Sequence, residues 1–82
     1  MSPVNRDEIT EKIMAFVCRE LVRDREEVTL ESDLAGMGAD SLNLTEIVLE
    51  MEEAFGFEMS EEEMKQIQTV GDLVGYAESR IG

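Results

Sequence analysis

Apolar side chains recur at three- and four-residue steps in the first part of the chain. Ile9, Ile13, Phe16, Val17 and Leu21 share one helical face, while Asp7, Glu8, Glu11 and Lys12 fall outside it. The spacing predicts a first helix from about Arg6 to Val22. Asn5 is its expected N-cap, with Glu8 at the capping-box position, and the acids of the first turn suit the positive end of the helix dipole. A second stripe, Leu44, Ile47, Val48, Met51 and Phe55, predicts a helix from Ser41 to Phe55, opened by Asp40 and closed by Gly56. Phe57 and Met59 turn the next connection inward. Ser60 and Glu63 form a capping box for a short third helix reaching Gln66 or Ile67. Thr69 and Asp72 repeat the pattern before a fourth helix, whose buried face is Val70, Leu73, Val74, Ala77 and Ile81.

Between the first two helices the period dissolves. From Arg23 to Asp40, the residues Val28, Leu30, Leu34 and Met37 read as separate anchors pinning a long loop to the core. Thr29, Ser32, Asp33, Gly36 and Gly38 supply its turn chemistry. Ordering such a loop costs chain entropy that few side chains offset, so it needs a reason, and it leads directly to Ser41. There is no repeat, low-complexity tract or linker. Residues 1–82 therefore predict a single all-α domain, a four-helix bundle of three longer helices and one short one.

Composition narrows the chemistry. A chain of 82 residues is too short for a deep catalytic cleft within a large core. Twenty acidic residues against seven basic leave a formal charge of −13, which repels nucleic acid and anionic lipid and attracts Lys/Arg-rich protein patches. The same acidity also keeps a small protein soluble, and charge by itself does not choose between the two. The lone Cys18 cannot form an internal disulfide, no secretion-signal pattern opens the chain, and no apolar run has membrane-spanning length. The expected location is the cytoplasm. Cys18 is expected to be an ordinary helix residue without a role.

The segment Gly38-Ala39-Asp40-Ser41-Leu42 puts a serine in the first turn of the second helix. A nucleophilic serine needs a base, and the chain contains no histidine. The nucleophile elbow fails as well, because Asn43 stands where that motif wants glycine. Neither Lys12 nor Lys65 is near Ser41 in sequence. A serine at a helix N-terminus can instead accept a phosphate-linked group, since free backbone N–H groups and the dipole stabilise the added anion. It can also simply open a helix, and the pentapeptide alone leaves both readings standing.

That pentapeptide, followed by Thr-Glu-Ile-Val-Leu-Glu-Met-Glu-Glu-Ala-Phe-Gly at 45–56, closely resembles the attachment segment of acyl carrier proteins. The resemblance extends to Glu-Glu-Val-Thr at 26–29, Ser-Asp-Leu at 32–34 and Thr-Val-Gly-Asp at 69–72, covering nearly the whole chain. It implies a four-helix carrier whose Ser41, flanked by Asp40 and Leu42, receives 4'-phosphopantetheine from coenzyme A through a separate phosphopantetheinyl transferase. The arm's thiol would hold acyl groups as thioesters and deliver them to enzymes of fatty-acid, lipid or polyketide-type synthesis, with the monomeric carrier catalysing nothing itself.

By the same resemblance, Asp40, Leu42, Thr45, Glu46, Leu49, Glu52 and Glu53 would meet basic patches of acyl-loading and acyl-processing enzymes, with Leu42 and Leu49 as the apolar centre. The plainer role for these acids is a solvated face. Val48, Met59, Met64, Ile67 and Leu73 would surround a sheltered acyl chain, and each also suits ordinary core packing. Asn43 stands where the family often has Asp, and Thr45 where it often has Val, so a specialised carrier is one expectation. A peptidyl or aminoacyl carrier is the nearest rival, and an acidic adaptor a more distant one. No window has the ligand spacing of an EF-hand calcium loop, and no metal is expected.

Overall fold

The computed structural model describes residues 6–81. Four α-helices follow one another: α1 Arg6–Leu21, α2 Ser41–Phe55, α3 Glu61–Met64 and α4 Val70–Ile81. Among the described residues there is no β-strand, only an isolated antiparallel bridge between Asp33 and Thr69. The expected cap Asn5 lies outside the described residues.

The helices exist because their apolar stripes share one core. Ile9, Ile13, Met14 and Val17 of α1 meet Ile47, Val48 and Met51 of α2 and Val70, Leu73, Val74 and Ala77 of α4, with Val28, Leu34 and Met59 added from the connections. Burying each large aliphatic side chain is worth about 1.5–3 kcal/mol relative to exposure, so this cluster is the principal stabilising term. Helix α1 packs against both α2 and α4. Met14, absent from the expected stripe, is buried beside Ile13, so the covered face of α1 is broader than the sequence pattern indicates. Phe16 and Leu21 are only half-buried at its margin.

Helix α1 ends one residue before its expected limit. Val22 adopts a left-handed φ of +54° and is 88% exposed. A β-branched residue is strained there by roughly 1–2 kcal/mol. The turn is closed by the Arg23 N–H donating to the Cys18 carbonyl at 2.9 Å. Helix α3 is shorter than expected too: beyond Met64 the amides of Gln66 and Ile67 bond back to the carbonyls of Glu63 and Met64, tightening the chain into three-residue turns.

The long connection between α1 and α2 is built rather than slack. It contains two 3-10 helices, Arg25–Glu27 and Ala35–Met37, which the sequence pattern did not indicate. Val28 and Leu34 are buried and Met37 is packed against the core, as expected of anchors. Leu30 is a correction, because its side chain is 45% exposed. Its carbonyl anchors instead, accepting the Gly71 N–H at 2.7 Å. Two neighbouring bonds, Val70 N–H to Ser32 carbonyl at 3.1 Å and Leu34 N–H to Gln68 carbonyl at 2.9 Å, complete a short antiparallel ladder onto the start of α4. On the other side the Arg23 guanidinium donates to the Met37 carbonyl at 3.0 Å, and Arg25 pairs with Glu11 of α1 at 3.0 Å.

Candidate functional site

The loop delivers the chain to Ser41 through one sharp turn. Gly38, at φ +94°, closes the second 3-10 helix with its N–H on the Ala35 carbonyl at 3.0 Å. Only glycine adopts that conformation at little steric cost, and the chain leaves it in a new direction. Asp40 follows in an extended conformation and caps α2, its carboxylate accepting the Asn43 N–H at 2.9 Å. Asn43 reciprocates by accepting the Asp40 N–H on its side-chain oxygen at 3.1 Å. This closes a capping box, so residue 43 has a structural task as well as a place near the serine.

Ser41 is thus the first residue of α2, fixed in backbone and exposed in side chain. Among the described residues no group hydrogen-bonds to its hydroxyl, while its carbonyl accepts from the Thr45 hydroxyl at 2.9 Å. Two shallow clefts meet at this serine. One, of about 400 Å³, lies between the loop and the chain before α4, lined by Asp33, Leu34, Ala35, Ala39 and Asp40, with Ile67 and Gln68 opposite. The other, of about 310 Å³, runs between α2 and α3, lined by Thr45, Glu61, Met64 and Lys65. Leu44 and Ser41 border both. Leu44 shares the serine's face because it lies three residues along the helix.

The expected partner residues separate into two groups. Leu42, 67% exposed, and Leu49, 47% exposed, form an outer stripe of α2 with exposed Glu46 and Glu53 beside them and half-buried Thr45 between. Glu52 is half-buried and turned along the helix, accepting the Met59 N–H at 2.9 Å. Glu50 faces inward to α1, where it pairs with Arg19, and one of its carboxylate oxygens is buried without a partner.

Neither of the two clefts at Ser41 is lined by all five residues expected around a sheltered chain. Val48, Met59 and Leu73 are buried members of the core, whereas Met64 and Ile67 are half-buried and reach different clefts beside Ser41. Sequence reasoning missed Leu44 as a cleft residue, assigning it only to the core. Lys65 and Glu61 were also missed, since nothing in their spacing relates them to Ser41.

Two carboxyls on α3 and α4 and the thiol on α1 have shifted pKa values. Glu63 is pulled down from 4.5 to about 2, first by the Ser60 N–H and then by Tyr76 and others, including Arg80. The Asp72 carboxyl is also lowered, by the N–H groups of Gln68 and Thr69. Burial pushes the Cys18 thiol up, which makes it a poorer nucleophile. Among the described residues no cluster of three or more His, Cys, Asp or Glu is assembled to hold a metal, and no helix is long and apolar enough to cross a membrane.

This geometry fits a covalently attached, phosphate-linked group: an exposed hydroxyl without a competing bond, a fixed helix start beneath it, and open clefts on both sides. Comparison with known proteins agrees. Residues 11–77 match the model of the family described as the phosphopantetheine attachment site. The acyl carrier protein of Thermotoga maritima is 37% identical over 79 residues, spanning 95% of this chain and 98% of that protein. The acyl carrier protein of Coprothermobacter proteolyticus is also 37% identical over 79 residues, spanning 95% of this chain and 96% of that one. With the fold, the exposed serine and these matches together, the chain belongs to the acyl carrier protein family of phosphopantetheine-binding domains.

Proposed function

We propose that Ser41 is the residue of this chain that takes the phosphopantetheine, and that the outer stripe of α2 presents the loaded arm to basic partner enzymes. The observation that supports this most is the serine's setting: an exposed hydroxyl with no hydrogen-bond partner among the described residues, at the capped start of a helix and between two clefts. With no histidine in the chain, the hydroxyl lacks the usual base that would make it a nucleophile of its own. A separate transferase removes its proton while Oγ bonds to the pantetheine-bearing phosphorus of coenzyme A and the adenosine bisphosphate portion leaves.

When bound, the group supplies a thiol on a long tether, which keeps an acyl cargo activated as a thioester. The chain's own residues then do the presenting. Asp40 and Asn43 hold the helix start, while Leu42 and Leu49 offer an apolar centre with Glu46 and Glu53 beside it. A face of this kind selects Lys/Arg-rich enzyme surfaces and speeds encounter with them in a salt-dependent way. Acyl-loading and acyl-processing enzymes of fatty-acid, lipid or polyketide-type synthesis are the partners this chemistry suits, and the cytoplasm is their setting.

The test is intact mass after incubation with coenzyme A and a promiscuous phosphopantetheinyl transferase. Wild type gains one arm and Ser41→Ala gains none. An unmodified wild type, under conditions that modify a control carrier, would refute the assignment.

A further inference from the structure

The attachment point is short of positive charge. Attachment at Ser41 would add a phosphodiester anion beside Asp40, in a chain whose formal charge is already −13. The helix start offers limited relief, because the Asn43 N–H is already taken by the Asp40 carboxylate and the Leu44 N–H by the Asp40 carbonyl. The cleft on the loop side contains two acids, Asp33 and Asp40, and no cation. The cleft between α2 and α3 contains Glu61 and also Lys65. Among the described residues, Lys65 is therefore the only cation lining either of these two clefts. It is exposed, and it enters none of the ion pairs among the described residues. Four of the arginines are differently occupied: Arg19 pairs with Glu50, Arg25 with Glu11 and Arg80 with Glu63, while Arg23 is bonded to the Met37 carbonyl.

We propose that Lys65 is the counter-ion for the phosphodiester at Ser41, biasing the root of the arm toward the α2–α3 cleft and away from the loop side. This rests on Ser41 being the attachment residue. Glu61 in the same cleft competes for the ammonium, but the phosphodiester would be fixed to the cleft's edge by its bond to Ser41, which raises its local concentration. The pair is solvent-exposed, so its strength is that of a surface ion pair and is sensitive to salt.

The experiment compares wild-type apo protein with protein loaded by coenzyme A and transferase, after intact mass has shown the arm in place. Lysine side-chain resonances are followed by carbon NMR and the phosphodiester by phosphorus NMR. On loading, the Lys65 Cε resonance is expected to move while that of Lys12 on α1 stays. The movement should be lost in about 0.5 M sodium chloride, where the screening length falls to about 4 Å. The phosphorus resonance of loaded Lys65→Gln should differ from wild type at low salt, and that of loaded Lys65→Arg should stay close to it. If the mass shows the arm but Lys65 moves no more than Lys12, or if the phosphorus signal is indifferent to Lys65→Gln, the counter-ion role is overturned and the attachment assignment stands. If no arm is gained at all, it is the attachment assignment that fails.

Discussion

The two ends of α2 are finished in opposite ways. At its C-terminal end Gly56 turns the chain in a left-handed conformation, Phe57 stacks near Phe55 with ring centroids 6.3 Å apart, and Tyr76 of α4 closes over Phe57 at 5.7 Å. Glu52 holds the Met59 amide, Glu63 caps α3, and Arg80 pairs with Glu63 at 3.2 Å while lying over the Tyr76 ring. At its N-terminal end the polar groups of Asp40 and Asn43 satisfy one another, and the side chain of Ser41 touches no bonding partner among the described residues. One end is clasped by aromatic and charged contacts from two other elements. At the other, a capping box holds the backbone and leaves the Ser41 hydroxyl without a partner among the described residues.

The largest effect is expected where the clasp is broken. Phe57→Ala should lose about 3 kcal/mol in chemical denaturation, because it removes a half-buried ring with two aromatic neighbours. Loading at Ser41 should proceed as before in conditions where the variant is folded. An equal loss of loading would show that the two ends are not independent.

The open end should respond to a residue distant in sequence. A side chain at Gly71 would place Cβ 2.9 Å from the Leu30 carbonyl oxygen, so backbone has to shift. Gly71→Ala should cost about 2 kcal/mol and speed hydrogen exchange at the Leu34 and Val70 amides, the remaining rungs of the ladder. Unchanged exchange would mean that the ladder does not hold the loop.

A smaller loss, about 1 kcal/mol, is expected for Asp40→Ala, with faster exchange at the Asn43 amide that it leaves without an acceptor. If stability is unaltered, the capping box does not secure the serine's helix.

The smallest effect concerns acid. Glu63 sits near 2 when folded and near 4.5 when unfolded, so its charge stabilises the fold above the unfolded value, and that contribution fades as pH falls from about 4.5 toward 2. Wild type should exceed Glu63→Gln in stability at neutral pH, with the gap closing across that window. A gap that stays constant through the window would contradict the cap as the cause. Taking the difference between the two proteins removes most of the general relief of self-repulsion that a chain of charge −13 gains in acid.

Helix periodicity was legible because it is local. The stripe from Leu44 to Phe55 and the signals Asp40 and Gly56 locate α2 at the bounds the structure shows, and Thr69 and Asp72 do form the expected box, with bonds of 3.0 and 3.1 Å. What was illegible depends on contacts between distant segments. Leu30 reads as an apolar anchor, yet its backbone does the anchoring and its side chain faces solvent. The 3-10 turns at Ala35–Met37 have no periodicity to reveal them. For the site, Ser41 and its cap were visible in the local sequence, whereas Lys65 becomes interesting only when α3 is laid beside α2. Asn43, which stands where the family often has Asp, accepts the Asp40 amide, a task that its position in the sequence does not reveal.

The ladder between the loop and α4 also bears on how the protein is made. Its second side, Gln68 to Gly71, follows Ser41 in the chain, so a ribosome releases the serine well before the strand-like partners that order its approach. A nascent chain stopped after α2 has the serine and its Asp40 cap but no latch on the preceding loop. The latch on the loop before Ser41 therefore closes only once residues 68–71 have been made, after the whole of α2.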